Sequence, residues 1–141
     1  METAKKESRS EKAARIKYGL AQFIGTDNYY QTIIPGVVHT DGIKFLAEQA
    51  GAYWLIDLVA SWFIYPKTRA EGFQCWRIKL DPNGRGCRVD AWSDEPDKST
   101  LIMRQDVEFT DFPIDELEWY VCHGMIGEGR QGFVMMLKTE Y

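Results

Sequence analysis

The side chains best able to do chemistry in this 141-residue chain are carboxylates. The densest run of them is Asp106, Glu108, Asp111, Asp115, Glu116 and Glu118, and no Lys or Arg occurs between Arg104 and Arg130. A stretch of one sign is either the solvated outer side of a sheet with a helix start, or a docking surface for a basic partner. A second candidate is Asp57, the sole charged residue between Glu48 and Lys67. Its segment is expected to be mostly buried, and burial raises a carboxyl pKa. Tyr53 and Ser61 lie one helical turn to either side of it, so Asp57, Tyr53 and His39 are the residues an acid/base site would use. The alternative is a structural carboxylate paired with backbone N–H groups, because buried polar groups are generally hydrogen-bonded.

Other patterns fail on their context. Gly127-Glu128-Gly129-Arg130-Gln131-Gly132 spells G-x-G-x-x-G, but Phe133 to Leu137 reads as a strand where the dinucleotide fingerprint requires a helix. Asp81 opens a calcium-like loop whose fifth and twelfth positions are Arg85 and Trp92, neither an oxygen ligand. His39, His123, Cys75, Cys87 and Cys122 lack paired metal-ligand spacing, so no metal and no cofactor is expected. Five Trp and seven Tyr could stack on single-stranded nucleic acid, yet a pI near 5.2 provides no basic groove, and direct nucleic-acid binding is not expected.

The elements that must carry these residues follow from periodicity. Residues 1–15, polar and net positive, read as a flexible arm, and residues 16–141 as one domain. Ile16, Leu20, Phe23 and Ile24 make a helical stripe that Gly25 ends. Thr26 to Gly36 reads as a helical turn and loop. Thr40 or Asp41 caps a second helix, and Ala52 to Phe63, apolar nearly all round, reads as a helix buried on most sides.

From Pro66 onward the alternation is that of strands. Asn83-Gly84 predicts a two-residue type I′ turn, which pairs Leu80 with Cys87, Ile78 with Val89 and Trp76 with Ala91. The other face then holds Cys75 opposite Trp92, Arg77 opposite Asp90 and Lys79 opposite Arg88. Leu101, Met103, Val107 and Phe109 read as the inward side of a third strand, Asp115 to Glu118 as a short turn or helix, and Trp119–Cys122 with Phe133–Leu137 as a last pair. The expected fold is α+β, with N-terminal helices packed on an antiparallel meander of about five strands. No apolar run approaches the ~20 residues that span a bilayer, and no secretion signal is recognisable, so a cytoplasmic protein with reduced cysteines is expected.

Phe23-Ile-Gly25-Thr26, Tyr30, the run from Thr40 to Asp57, Ala60-Ser61, Phe109 to Asp115 and the Glu140-Tyr141 ending resemble a family of unknown function. It is the domain of unknown function 6876 type, made of short bacterial proteins often carried by phages, plasmids and integrated elements. The resemblance covers residues 16–141 and brings no assigned activity, hence no catalytic residue. Mobile-element carriage implies a role such as blocking host defence, and small inhibitors of nucleases or CRISPR complexes often occupy basic channels. The expectation is therefore a non-enzymatic accessory binding protein, of counter-defence (anti-CRISPR or nuclease-inhibitor) type, presenting the six carboxylates to a protein with a basic surface. A small enzyme around Asp57 and a structural or oligomerising protein are the alternatives.

Overall fold

A computed structural model describes residues 7–141. Helix α1 (Arg9–Leu20) starts at Ser8, whose hydroxyl accepts the Glu11 N–H at 3.1 Å and so satisfies one of the free donors of the first turn. Of the arm expected over 1–15, residues 1–6 lie outside the described residues, while Arg9 to Arg15 are helical. Arg9 donates to the carbonyls of Gly84 and Phe112, tying this helix to the sheet. The helix ends at Leu20, short of the expected Gly25, and leaves Ile24 exposed.

Two short strands follow, β1 (Tyr29–Gln31) and β2 (Val37–Thr40), where the sequence reading expected a helical turn and loop. Thr40 then caps α2 (Asp41–Ala50), accepting the Ile43 N–H. Gly51 ends that helix in the left-handed region at φ 63°, so it is a break between two helices, as its lack of a Cβ permits. Helix α3 (Tyr53–Ser61) buries Leu55, Ile56, Val59 and Ala60 but turns Tyr53 and Asp57 outward. The expected burial of Asp57 is thus corrected. Positions i and i+4 share one stripe, and here that stripe faces solvent. A 3-10 turn (Trp62–Ile64) and α4 (Pro66–Arg69) lead into the strands.

The strands β3 (Phe73–Leu80), β4 (Cys87–Trp92), β5 (Leu101–Val107), β6 (Glu116–Gly127) and β7 (Arg130–Met136) complete a seven-stranded sheet in the order β1-β2-β7-β6-β3-β4-β5. It is mixed: β2 runs parallel to β7, and every other neighbouring pair is antiparallel. The five-stranded meander is therefore too small. Val37–Thr40 is buried on both faces and only four residues long, so it displays no alternation by which to recognise it.

Within the sheet, the hairpin register is the one expected, including Arg77 opposite Asp90 and Trp76 opposite Ala91. Its turn differs, because Asp81 N–H bonds to Gly86 C=O at 2.9 Å and only Gly84, not Asn83, has positive φ. Pro82 has no N–H to give to a ladder, so four residues make the loop instead of two. The helices cover one face. Beneath them Trp76 and Trp119 stack with centroids 6.4 Å apart, and Phe63 joins Trp76 to Phe133. Among the described residues no α-helix covers the other face.

Candidate functional site

The open face is built by the outward residues of β5, β4, β3 and β6. Along one row run Asp106, Arg88, Lys79 and Glu116; along the next run Arg104, Asp90, Arg77 and Glu118. Acid and base alternate along the second row, whereas in the first two acids flank Arg88 and Lys79. At its centre Arg77 donates to both Asp90 oxygens, at 3.2 and 3.0 Å, and to Asp97 at 2.7 Å from the loop that follows β4. Asp97 first and Asp90 next hold the Arg77 guanidinium more firmly charged than usual, against the opposing effect of burial. Trp92 lies between Arg77 and Arg104, at 5.9 and 5.8 Å from its ring centroid, and its N–H bonds Asp90.

This arrangement divides the six carboxylates. Asp106 is paired with Arg88 at 2.8 Å, and Glu118, half-buried, is paired with Lys138. Both are compensated, and neither offers an uncommitted charge. The other four lie at or beyond strand ends: Glu108, Asp111 and Asp115 in the segment joining β5 to β6, and Glu116 at the start of β6. All four are exposed, and none forms an ion pair among the described residues. Asp115 and Glu116 do not form the expected turn or helix; Leu80 N–H bonds Asp115 C=O at 2.8 Å and β6 starts at Glu116.

The β3–β4 turn closes this end of the sheet. Thr110 N–H bonds Arg85 C=O at 2.8 Å, and a Cβ at Gly86 would stand 2.7 Å from the Asp81 carboxylate and 2.8 Å from the Glu108 carbonyl. Exposed Asp81 thus joins the four, giving five carboxylates at an end that also carries Arg9, Lys17, Lys79 and Arg85. Among them stands Phe109, 67% exposed, with the Arg85 guanidinium 5.2 Å from its ring centroid. Its expected place in the core is overturned because the β5 ladder ends at Val107, after which alternation no longer dictates direction. Trp54, Arg85, Phe109, Thr110 and Asp111 line an open groove of about 550 Å³. Asp81, Phe109 and Arg85 were not legible as a group, since only the fold brings the 81–86 turn against residues 108–111.

No hydrogen bond joins Asp57, Tyr53 and His39 among the described residues. Tyr53 donates to Glu48 at 3.2 Å, on the solvent side of its helix with Asp57. His39 is buried on the inner face, its Nδ1 has no hydrogen-bond partner, and burial, aided by Lys44 and opposed by Asp57, holds its pKa below the ordinary value. The groove beside Phe109 is lined by none of the three. Cys75 and Cys87 point to opposite faces, and burial pushes each thiol up to about 11, away from nucleophilic use. Among the described residues no group of three or more His, Cys, Asp or Glu could hold a metal. Gly127 to Gly132 forms the β6–β7 turn and strand start, with no helix to face a phosphate. No helix of the described residues is long and apolar enough to cross a membrane.

Some of the residues that carried the family resemblance, Thr26, Tyr30, Thr40, Asp41, Gly42 and Glu140, converge at the start of α2. Asp41 accepts from Asp27 N–H at 2.9 Å and from Tyr30 O–H at 2.8 Å, and its own N–H bonds Thr26. Glu140 accepts from the Thr40 hydroxyl at 2.7 Å, from Gly42 N–H at 3.1 Å and from Leu137 N–H at 2.9 Å. They form a structural clasp between the chain's last residues and a helix start. A family model, that of a family of unknown function, matches residues 14–141, which include this clasp and the acidic end. The chain belongs to that family, DUF6876. No curated protein and no solved structure matches the chain. The DUF6876 match takes in most of α1 and the whole sheet, so the acidic end lies within the family domain.

Proposed function

We propose that this DUF6876 chain is a non-enzymatic binding protein that docks the acidic end of its sheet on a basic surface of a protein partner. The observation that carries the reading is Phe109, an aromatic ring left two-thirds in water beside Asp111 in an open groove, at the end of the sheet where Asp81, Glu108, Asp115 and Glu116 are also exposed. An exposed aromatic anchor beside uncommitted like charges is what a charge-steered interface needs: the ring contributes desolvated area and the carboxylates contribute on-rate and selection. In cellular terms the proposal is a cytoplasmic accessory protein of a mobile element, acting as a counter-defence inhibitor that occupies a basic channel of a nuclease or CRISPR complex.

The test is capture from the host with the wild-type chain and with a Glu108→Lys, Asp111→Lys, Glu116→Lys variant as baits. A basic protein retained by the first and lost by the second, with melting temperatures equal within a few degrees, is the expected result. Equal retention by both baits overturns the docking surface.

A further inference from the structure

Strand β5 forms one edge of the sheet and pairs with β4 alone, setting Val107 opposite Cys87, Gln105 opposite Val89 and Met103 opposite Ala91. Which of its backbone groups point away from β4 follows from the alternation of antiparallel ladders. Asp81 N–H bonds Gly86 C=O across the hairpin, whereas Leu80 N–H bonds Asp115 C=O on the β6 side, so β3 and β4 exchange bonds at Lys79–Arg88 and Arg77–Asp90. Cys87, Val89 and Ala91 then bond β5 at Val107, Gln105 and Met103, and the N–H and C=O of Arg104 and Asp106 face outward. Among the described residues no backbone group meets them.

The side chains of this edge suit another β5. Arg104 and Asp106 carry opposite charges two positions apart on the open face. Asp106 remains 70% exposed beside Arg88, and Arg104 36% exposed beside Asp90, so both are reachable from the edge. Charges that only guard an edge would do so with one sign. Opposite signs attract an antiparallel copy about a two-fold axis through Gln105, which sets Arg104 of each chain opposite Asp106 of the other. The neighbouring registers set Arg104 opposite Arg104 or Asp106 opposite Asp106, and parallel in-register pairing stacks like charges, so each of these is repelled. In the favoured register the outward backbone groups also become bonded pairs, and on the inner face Met103 of one chain meets Val107 of the other.

An apolar stripe flanks the same edge. Helix α3 runs along its inner side, with Trp54 in the Phe109 groove at one end and, just past the other end, Trp62 N–H bonded to Gln105 at 2.6 Å. Trp54, Leu58 and Trp62 lie one turn apart, and each is half-buried. The bond to Gln105 sets Trp62 beside the axis, where Trp62 and Leu58 of two copies supply the apolar area that edge hydrogen bonds lack.

We propose that the chain forms a two-fold dimer in which β5 pairs antiparallel with β5 of a second copy, joining two seven-stranded sheets into one. The two acidic ends point in opposite directions along the joined sheet, and the dimer does not depend on what they bind.

Sedimentation velocity of the full chain at about 100 μM tests this. The expected mass is twice the 16.3 kDa of one chain. Arg104→Glu sets acid opposite acid at both pairs and Asp106→Lys sets base opposite base, so each variant alone is expected to associate at least about tenfold more weakly and to sediment as a monomer. Mixed in equal amounts, the two variants restore attraction at both pairs, and the dimer returns. A variant that had merely lost its fold would not be rescued in this way. A monomeric wild type, species larger than the dimer, dimers that persist in both variants, or variants that stay monomeric when mixed would each overturn the proposal.

Discussion

At the scale of single residues, Asp41 and His39 are the groups whose surroundings bear most directly on pH dependence. The Asp27 backbone N–H first, and then the Tyr30 hydroxyl, hold the Asp41 carboxyl down to about 2. A carboxyl lowered on folding stabilises above its unfolded pKa of about 3.9 and loses that contribution as pH falls through its folded value. Asp41→Asn is therefore expected to melt below the wild type at pH 7, with the difference closing near pH 2, as thermal unfolding followed by circular dichroism will measure. His39 is perturbed the other way, since burial resists its charging. Below about pH 6.5 the unfolded chain takes a proton that the folded one refuses, so stability falls from pH 7 toward pH 5. His39→Leu, which removes a ring nitrogen that has no protein partner, is expected to flatten that slope in urea titrations at the two pH values. Such residue environments were only partly legible. Thr40 as a cap follows from its type and place, but Asp57 was misjudged because a mostly apolar segment leaves open which single stripe faces water.

At the scale of elements, the β3–β4 hairpin was readable down to its pairs, and the Arg77–Asp90 contact follows from register alone. That contact is also where the sheet is most sensitive. Asp90 is 1% exposed, so Asp90→Leu strands the largely buried Arg77 with Asp97 as its remaining carboxylate and is expected to cost about 3 kcal/mol in urea unfolding. Asp106→Ala on the same face breaks an exposed pair and is expected to leave the urea midpoint essentially unchanged. The β1–β2 edge was not readable, because strands of three and four residues carry too few positions to display a period. Its attachment rests on close backbone approach at Gly132. Gly132→Ala is expected to destabilise by roughly 1–3 kcal/mol and to raise hydrogen exchange in β2 and β7 before the rest of the sheet.

At the scale of the whole molecule, the α+β class was legible from the change of period after Pro66, whereas the mixed sheet was not, since the β2–β7 pairing joins segments about a hundred residues apart. The charge pattern shows the same limit. Six carboxylates close in sequence separate in space into a compensated pair on the open face and four at the sheet's end, where the 81–86 turn adds a fifth. Phe109 marks that end as a surface with both charge and apolar area, and the proposed partner contact stands on it. Site-specific photo-crosslinking in the host tests this most directly, with a benzophenone amino acid placed at Phe109 and, as control, at the still more exposed Tyr18. The account predicts one discrete protein adduct from position 109, lost when Glu108, Asp111 and Glu116 are reversed in charge and absent from position 18. No adduct at 109, or the same adducts from both positions, would contradict it.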